Sequence, residues 1–426
     1  MNRPEIDNKK ALERGEDAPY ANSASWIAPR AREVRMTQIF AAPGRYIQGY
    51  QELERLYQHI AWFGQRFLVI TTQGRLDSLR QTLALSFDNP ELNLRYAVFE
   101  GEVTRAEVQR LFLLQQDLGC DGVIGVGGGK VLDAAKAVAA RARLPLCIVP
   151  TVVSNDAPTS ALSVFYHADG SYEDVLFHAR SPDVVVVDTQ VIAQAPVRLL
   201  VAGIGDALAT YYEARTCVQG YRDNFLGLGS AQGGGKATLT SMAIAELCHR
   251  VLREDAVQAV RACEQNVVTK ALNRVIEANA LMSGIGFESN GVATAHAVYS
   301  GFSELGERAS AYHGEYVAFG TLVMLLLEGA PAAELDDLLR LCVAVGLPVC
   351  LADLALGDIS DEELHRVAEV AASPQQTSRV EPFEVTIREM LAALRAANDL
   401  GEFYKKGGSV LVTSGDQRPA SAMSKG

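Results

Sequence analysis

Residues 121–136 read DGVIGVGGGKVLDAAK. The run VIGV has the continuous apolar character of a strand buried on both faces. VLDAAKAVAA, which follows, reads as a helix whose small residues let it pack closely. Gly127, Gly128 and Gly129 lie between them and leave bare backbone at the tip of a strand and the mouth of a helix. Such a turn accepts an anion, because backbone N–H groups and the helix dipole point at it. A phosphate or a dinucleotide diphosphate is the natural guest. The spacing is neither GxGxxG nor the P-loop pattern, and a purely structural tight turn is the competing reading. Lys130 and Asp133 stand at the start of the helix, near the expected anion, and each could also be an ordinary helix residue.

Outward from this turn, the first half of the chain alternates strands and helices. A patterned stretch TQIFAAPGRYIQG (37–49) comes first, and RFLVITT (66–72), YAVFEG (96–101), LPLCIVPT (144–151) and PDVVVVD (182–188) read as strands. Helices are expected over Gln51–Phe63, near 75–86 and over TRAEVQRLFLLQQDLG (104–119). Apolar strand runs between helices argue a parallel sheet covered on both faces. After Asp188 every periodic segment has helical spacing. The expected organisation is an N-terminal arm (1–35), an α/β nucleotide-binding domain with a parallel, Rossmann-like sheet (36–190), an all-helical domain (191–404) and a polar tail (405–426) rich in Gly, Ser and Lys.

The chain has 426 residues, 48% of them apolar and 21% charged, as in ordinary globular proteins. A net charge of −12 argues against nucleic acid as a partner. The longest apolar run, VAFGTLVMLLLEG (317–329), is too short for a membrane span, and the first residues lack an apolar signal core. Seven cysteines in no pairing pattern suit a reducing cytoplasm.

In the helical half three polar residues occupy apolar surroundings. Asp206 lies in AGIGDALATYYEA, His296 in GVATAHAVYSGF and His313 in SAYHGEYVAFG. Each has an ordinary reading: Asp206 as a helix cap beside the turn-forming Gly203 and Gly205, the histidines as satisfied core residues. One carboxylate and two imidazoles also suit a zinc ion with an open fourth position.

The stretches APGRYIQG, GVGGGKVLDAAK, PTVVSNDAPTSALSVFY, VVVVDTQVIAQAPVRLLVAGIGDALATYYEA, VIEANALMSGIGFESNGVATAHAV and YHGEYVAFGT run in order from about residue 38 to about 400. Together they resemble the glycerol dehydrogenases of the metal-dependent, iron-type alcohol dehydrogenase superfamily. The resemblance implies the dehydroquinate synthase-like, two-domain architecture, with the active site in the cleft between the domains. It implies one catalytic Zn2+ on Asp206, His296 and His313, with Thr210 where iron-binding relatives place a fourth, histidine ligand. It implies NAD as cofactor, with Thr72, Gly127, Gly128, Gly129, Lys130, Asp133, Thr151, Ser160, Leu162 and Tyr166 along its site. Asp156 would meet the substrate hydroxyls, although SNDAP on its own reads as an Asx turn. The implied reaction is oxidation of glycerol or a similar small vicinal diol to the hydroxyketone, in a cytoplasmic homo-oligomer, often an octamer in this family.

Three positions depart from the family pattern. Tyr299 replaces a histidine, Tyr316 replaces the lysine of HGEK, and SRVEP (378–382) stands where a His-Asn pair is usual. Thr72 also replaces an aspartate that excludes the extra phosphate of NADP, which leaves NADP admissible. The alternatives are the same fold acting on another polyol, amino alcohol or hydroxyketone, or a non-catalytic assembly protein on this scaffold.

Overall fold

The computed structural model describes residues 37–227 and 235–411. The expected arm (1–35) and most of the expected tail lie outside the described residues.

Eight strands are described: β1 (Arg45–Gly49), β2 (Arg66–Thr71), β3 (Asn93–Val98), β4 (Gly122–Gly127), β5 (Leu146–Pro150), β6 (Leu162–Tyr166), β7 (Tyr172–Phe177) and β8 (Val184–Asp188). Six form one parallel sheet in the order β1-β8-β5-β4-β2-β3. The uniformly apolar strands hold its centre. All six residues of β4 and all five of β8 are buried, because helices cover both faces. The Leu76–Ser86 helix packs Leu79 and Leu83 on one face, with Phe67 and Val69 of β2. The Arg105–Leu118 and Gly129–Ala142 helices pack on the other, with Leu68, Ile70 and Val123. Gly125 is required there, since a Cβ on it would meet Ala135 Cβ at 2.5 Å.

Two elements differ from the sequence reading. The helix expected over Gln51–Phe63 is three short pieces, Glu52–Arg55, Leu56–Ile60 and Ala61–Phe63. Gln51 is left-handed (φ 58) and cannot open a regular helix, and its N–H and that of Leu53 are held by the Asp188 carboxylate. The second difference is the antiparallel hairpin β6-β7, in a stretch where the sequence reading placed no strand. Its signal is present as alternating LSVFY and YEDVLF around Asp169-Gly170, a hairpin-turn dipeptide.

Beyond Asp188 the described residues form helices, including Val197–Gln219, Leu239–Glu264, Ser283–Asn290, Thr294–Ser303, His313–Leu327 and Ile387–Lys405. None of the described helices is long and apolar enough to cross a membrane. All seven cysteines are buried and unpaired.

The segment 151–161, which leaves the carboxyl end of β5, is bolted to these helices. Asn279 Nδ2 donates to Val153 O (3.2 Å), Thr159 Oγ1 to Ala280 O (3.0 Å), and Ala161 N to Glu288 Oε1 (2.7 Å). Gly203 is required for the approach, since any Cβ there would meet Val153 O. Glu288 is 2% exposed. Burial pushes its pKa up from 4.5 to about 7, against the pull of the Ala161 N–H and of Lys136.

The folded protein therefore holds this proton more tightly than the unfolded chain. Stability from this group is full below pH 4.5 and falls as pH rises toward 7. Glu288→Gln keeps an acceptor for Ala161 N without the charge. Chemical denaturation at pH 5 and pH 8 should show the wild type losing about 2 kcal/mol more than the variant over that range. Parallel losses in the two proteins would show that Glu288 does not carry this proton.

Candidate metal and nucleotide site

Asp206 lies in the interior of the 23-residue Val197–Gln219 helix. Gly203 and Gly205 are therefore not the turn that a capping role for Asp206 needs. They are approach points. A Cβ on Gly205 would lie 2.3 Å from Gly314 O, and one on Gly314 would meet Ala202 O. The Val197–Gln219 and His313–Leu327 helices thus touch backbone to backbone, beside Asp206 and His313. His296 comes from a third helix, Thr294–Ser303.

These three side chains converge. Asp206 Oδ1 lies 3.2 Å from His313 Nε2 and 3.6 Å from His296 Nε2. One donor atom from each residue falls within 4.8 Å of the others. Donors bound at about 2.0–2.2 Å to one tetrahedral ion lie roughly 3.4 Å apart. Asp206 is 1% exposed, and its Oδ1 is buried without a hydrogen bond. An orphaned carboxylate oxygen facing two imidazole nitrogens fits a divalent cation. Burial works against the Asp206 charge, but the His313 and His296 imidazoles outweigh it and hold its pKa below the ordinary value.

Glu213 has no exposed surface and lies two turns after Asp206 on the same helix. It accepts hydrogen bonds from Ala293 N (2.8 Å), His296 N (3.0 Å) and His296 Nδ1 (2.6 Å). This makes Nδ1 the proton donor to Glu213 and turns Nε2 toward Asp206, the nitrogen that would serve a metal. Burial opposes charge on His296, yet the carboxylates of Glu213, Asp206 and Asp156 together lift its pKa to about 9. Sequence reasoning missed Glu213. Its signal was a second acid, seven residues after Asp206, in an otherwise apolar helix.

Asp156 adjoins the cluster: its N–H donates to Asp206 Oδ2 (3.2 Å), and its Oδ2 accepts from Ser283 Oγ (3.0 Å). Burial and the Asp206 charge push its pKa well up. Ser283 follows a π-helical turn, Ala278–Met282, a local widening common at functional sites. Thr210 Oγ1 bonds Ser283 Oγ (2.8 Å), and its methyl occupies the space that Gly286 leaves. Thr210 is thus packed away as a small residue.

The two substituted tyrosines have different surroundings. Tyr299 sets its ring edge-on to His313, with centroids 4.3 Å apart, and bonds Tyr166. Tyr316 is 2% exposed, stacks on Phe302 and lies in the core. SRVEP packs behind the His296 helix, where the Glu381 carboxylate accepts from Thr294 Oγ1.

On the nucleotide side, β4 ends at Gly127, and Gly128 leads into the helix beginning at Gly129. A Cβ on Gly128 would meet only Val152 Cγ2, at 3.4 Å, so this backbone is open to a guest. Thr151, on the neighbouring strand end, donates its N–H to Gly127 O (2.9 Å). Lys130 is half-exposed and pairs with Glu102 at 2.5 Å. Asp133, Ser160 and Leu162 meet on one buried lysine: Lys136 Nζ lies 3.1 Å from Asp133 Oδ1, 3.1 Å from Ser160 Oγ and 3.0 Å from Leu162 O. That knot fastens the β6-β7 hairpin to the glycine-turn helix. Tyr166 and Lys130 stand beside each other, the ammonium 5.6 Å from the ring centre. Thr72 follows β2 and is partly buried.

Comparison with known proteins agrees with this geometry. A sequence profile described as iron-containing alcohol dehydrogenase matches residues 43–189. The glycerol dehydrogenase of Escherichia coli O6:H1 is 42% identical over 369 residues, 87% of this chain and 99% of that protein. The glycolaldehyde reductase of Halobacterium salinarum is 39% identical over 366 residues, 86% of this chain and 98% of that one. The crystal structure of a probable glycerol dehydrogenase from Sinorhizobium meliloti 1021 matches with a TM-score of 0.80 at 40% identity, covering 86% and 99%. A two-domain, nucleotide-binding fold with a three-residue metal cluster is thereby an NAD-dependent oxidoreductase of the iron-type alcohol dehydrogenase class. The chain belongs to the glycerol dehydrogenase family within it.

Glu213→Gln should weaken metal binding about 10- to 100-fold, as the loss of such a partner does elsewhere. Competition titration against a chelator measures this. An unchanged affinity would show that His296 needs no orientation by Glu213.

Proposed function

We propose that this protein oxidises glycerol, or a similar small vicinal diol, to the hydroxyketone and runs the reverse reduction, with NAD as the principal cofactor and Zn2+ as the metal. The convergence of Asp206, His296 and His313 beside Asp156, next to an open glycine turn, is the observation that carries the reading. A divalent ion held by Asp206, His296 and His313 would supply a Lewis acid that lowers the pKa of the reacting hydroxyl, and a nicotinamide dinucleotide on the glycine turn would supply the hydride acceptor. In the oxidation the diol gives up that hydride and one proton, which leaves to solvent.

The chain's own residues do the positioning. Asp206 contributes a desolvated charge, and Glu213 fixes the face of His296 that looks into the site. Asp156, braced by Ser283, offers an acceptor to the second hydroxyl of a diol. Tyr299 and Tyr166 form a wall beside His313 that excludes water. Gly127, Gly128, Gly129 and Thr151 form the nucleotide cradle, with Lys130, Tyr166 and Thr72 at its rim. Asp133, Ser160 and Leu162 support it through Lys136. Zinc is favoured over iron because Thr210 offers no fourth imidazole, and three protein ligands leave a position for substrate.

Asp156→Ala tests the diol reading. kcat/KM for glycerol should fall at least about tenfold more than kcat/KM for a monohydric alcohol of similar size, the cost of losing one hydrogen bond. Equal losses would remove Asp156 from substrate recognition. Metal analysis of the purified protein should find one zinc per chain. Iron at that stoichiometry, with activity restored by iron alone, would overturn the choice of metal. The proposal includes a homo-oligomer up to an octamer, as in related dehydrogenases. A mass near 46 kDa by light scattering across a wide concentration range would refute it.

A further inference from the structure

The cofactor cradle has a second side. β2 passes to β3 through the Leu76–Ser86 helix on one face of the sheet, and β4 passes to β5 through the Gly129–Ala142 helix on the other. β3 and β5 lie on opposite sides of the β2/β4 pair. The chains leaving the carboxyl ends of β2 and β4 therefore diverge and open a crevice between them, the place where parallel sheets bind nucleotides. The β2-β4 register runs from Phe67↔Gly122 to Ile70↔Gly125. Continued by two residues, it sets Thr72 abreast of Gly127, one strand spacing of about 4.8 Å away. A diphosphate on the glycine turn then has the adenosine ribose at Thr72–Arg75.

A carboxylate at this place holds the ribose hydroxyls and repels a 2′-phosphate. Here the residue is Thr72, which can bond a hydroxyl and repels nothing. Arg75 closes the short turn after it, with its N–H on Thr72 O at 3.1 Å. The Arg75 side chain is partly buried, and among the described residues its guanidinium has neither a hydrogen bond nor an ion pair. The acid two residues on, Asp77, faces Arg80 at 3.8 Å. Burial lowers the Arg75 pKa with no carboxylate opposing it, so this cation lacks the counter-charge that Arg215, also partly buried, finds in Glu328 and Glu334. Thr71 Oγ1, fully buried at the end of the strand, is likewise without a partner.

We propose that Thr72 and Arg75 form a subsite for the 2′-phosphate of NADP, so that the protein binds both dinucleotides. This rests on the placement of the cofactor at the glycine turn. The guanidinium supplies a charge-assisted pair to the phosphate that the unphosphorylated ribose cannot use.

Calorimetric titration of the full chain with NAD+ and with NADP+ tests it without turnover. The wild type should bind NADP+ measurably. Arg75→Ala should shift the ratio of the two dissociation constants toward NAD+ by at least about tenfold. Thr72→Asp should shift it in the same direction, and it supplies a second arm if Arg75→Ala does not fold. A wild type that binds NAD+ but not NADP+, or a ratio that neither variant moves by more than about twofold, overturns the subsite and leaves polyol oxidation standing. A wild type that binds neither dinucleotide overturns both.

Discussion

Asp206 is a carboxylate with 1% of its surface exposed, and much of the helical half is arranged so that its burial can be tolerated. An isolated buried charge costs several kcal/mol. Here two imidazoles face one oxygen and the Asp156 N–H bonds the other. The compensation depends on distance, and distance depends on glycine. Gly205 and Gly314 flank Asp206 and His313, and each meets the opposing helix where a Cβ has no room. A methyl at either position would force the helices apart and separate the ligands.

The same logic extends outward. Glu213 is also fully buried, and the His296 helix supplies its partners through two backbone N–H groups and Nδ1. Orientation of the ligand and satisfaction of the acid are thus one arrangement. Gly203 admits Val153 against the Asp206 helix, and Asn279 and Thr159 hold the loop there. The strand ends that carry the glycine turn are thereby fixed to the helices that carry the metal cluster. A hydride can pass between two bound molecules only if their sites are held together in this way.

Much of this was legible in the sequence, for physical reasons. β4 and β8 announce themselves because strands buried on both faces must be apolar throughout. The three ligands stand out because polar residues are rare in apolar helices. Other parts were hidden. Gly203 and Gly205 look like a turn, because sequence does not reveal that a helix glycine faces another backbone. Glu213 passed unnoticed because its worth lies in His296, far along the chain. Asp133 reads as a residue near the anion, while the fold engages it with Lys136 and Val164 N. Tyr299 and Tyr316 look alike as departures, yet one edges against His313 and the other lies in the core. The hairpin β6-β7 is faint in the sequence because its strands are only five and six residues long and only partly buried.

Everything claimed for the site turns on whether one ion sits among three side chains. Anomalous diffraction at the zinc edge, on crystals of the protein with its metal, tests that most directly. The account predicts one peak per chain, about 2.0–2.2 Å from Asp206 Oδ1, His296 Nε2 and His313 Nε2. A peak held by other residues, or a fully loaded protein with no peak among these three, would contradict it.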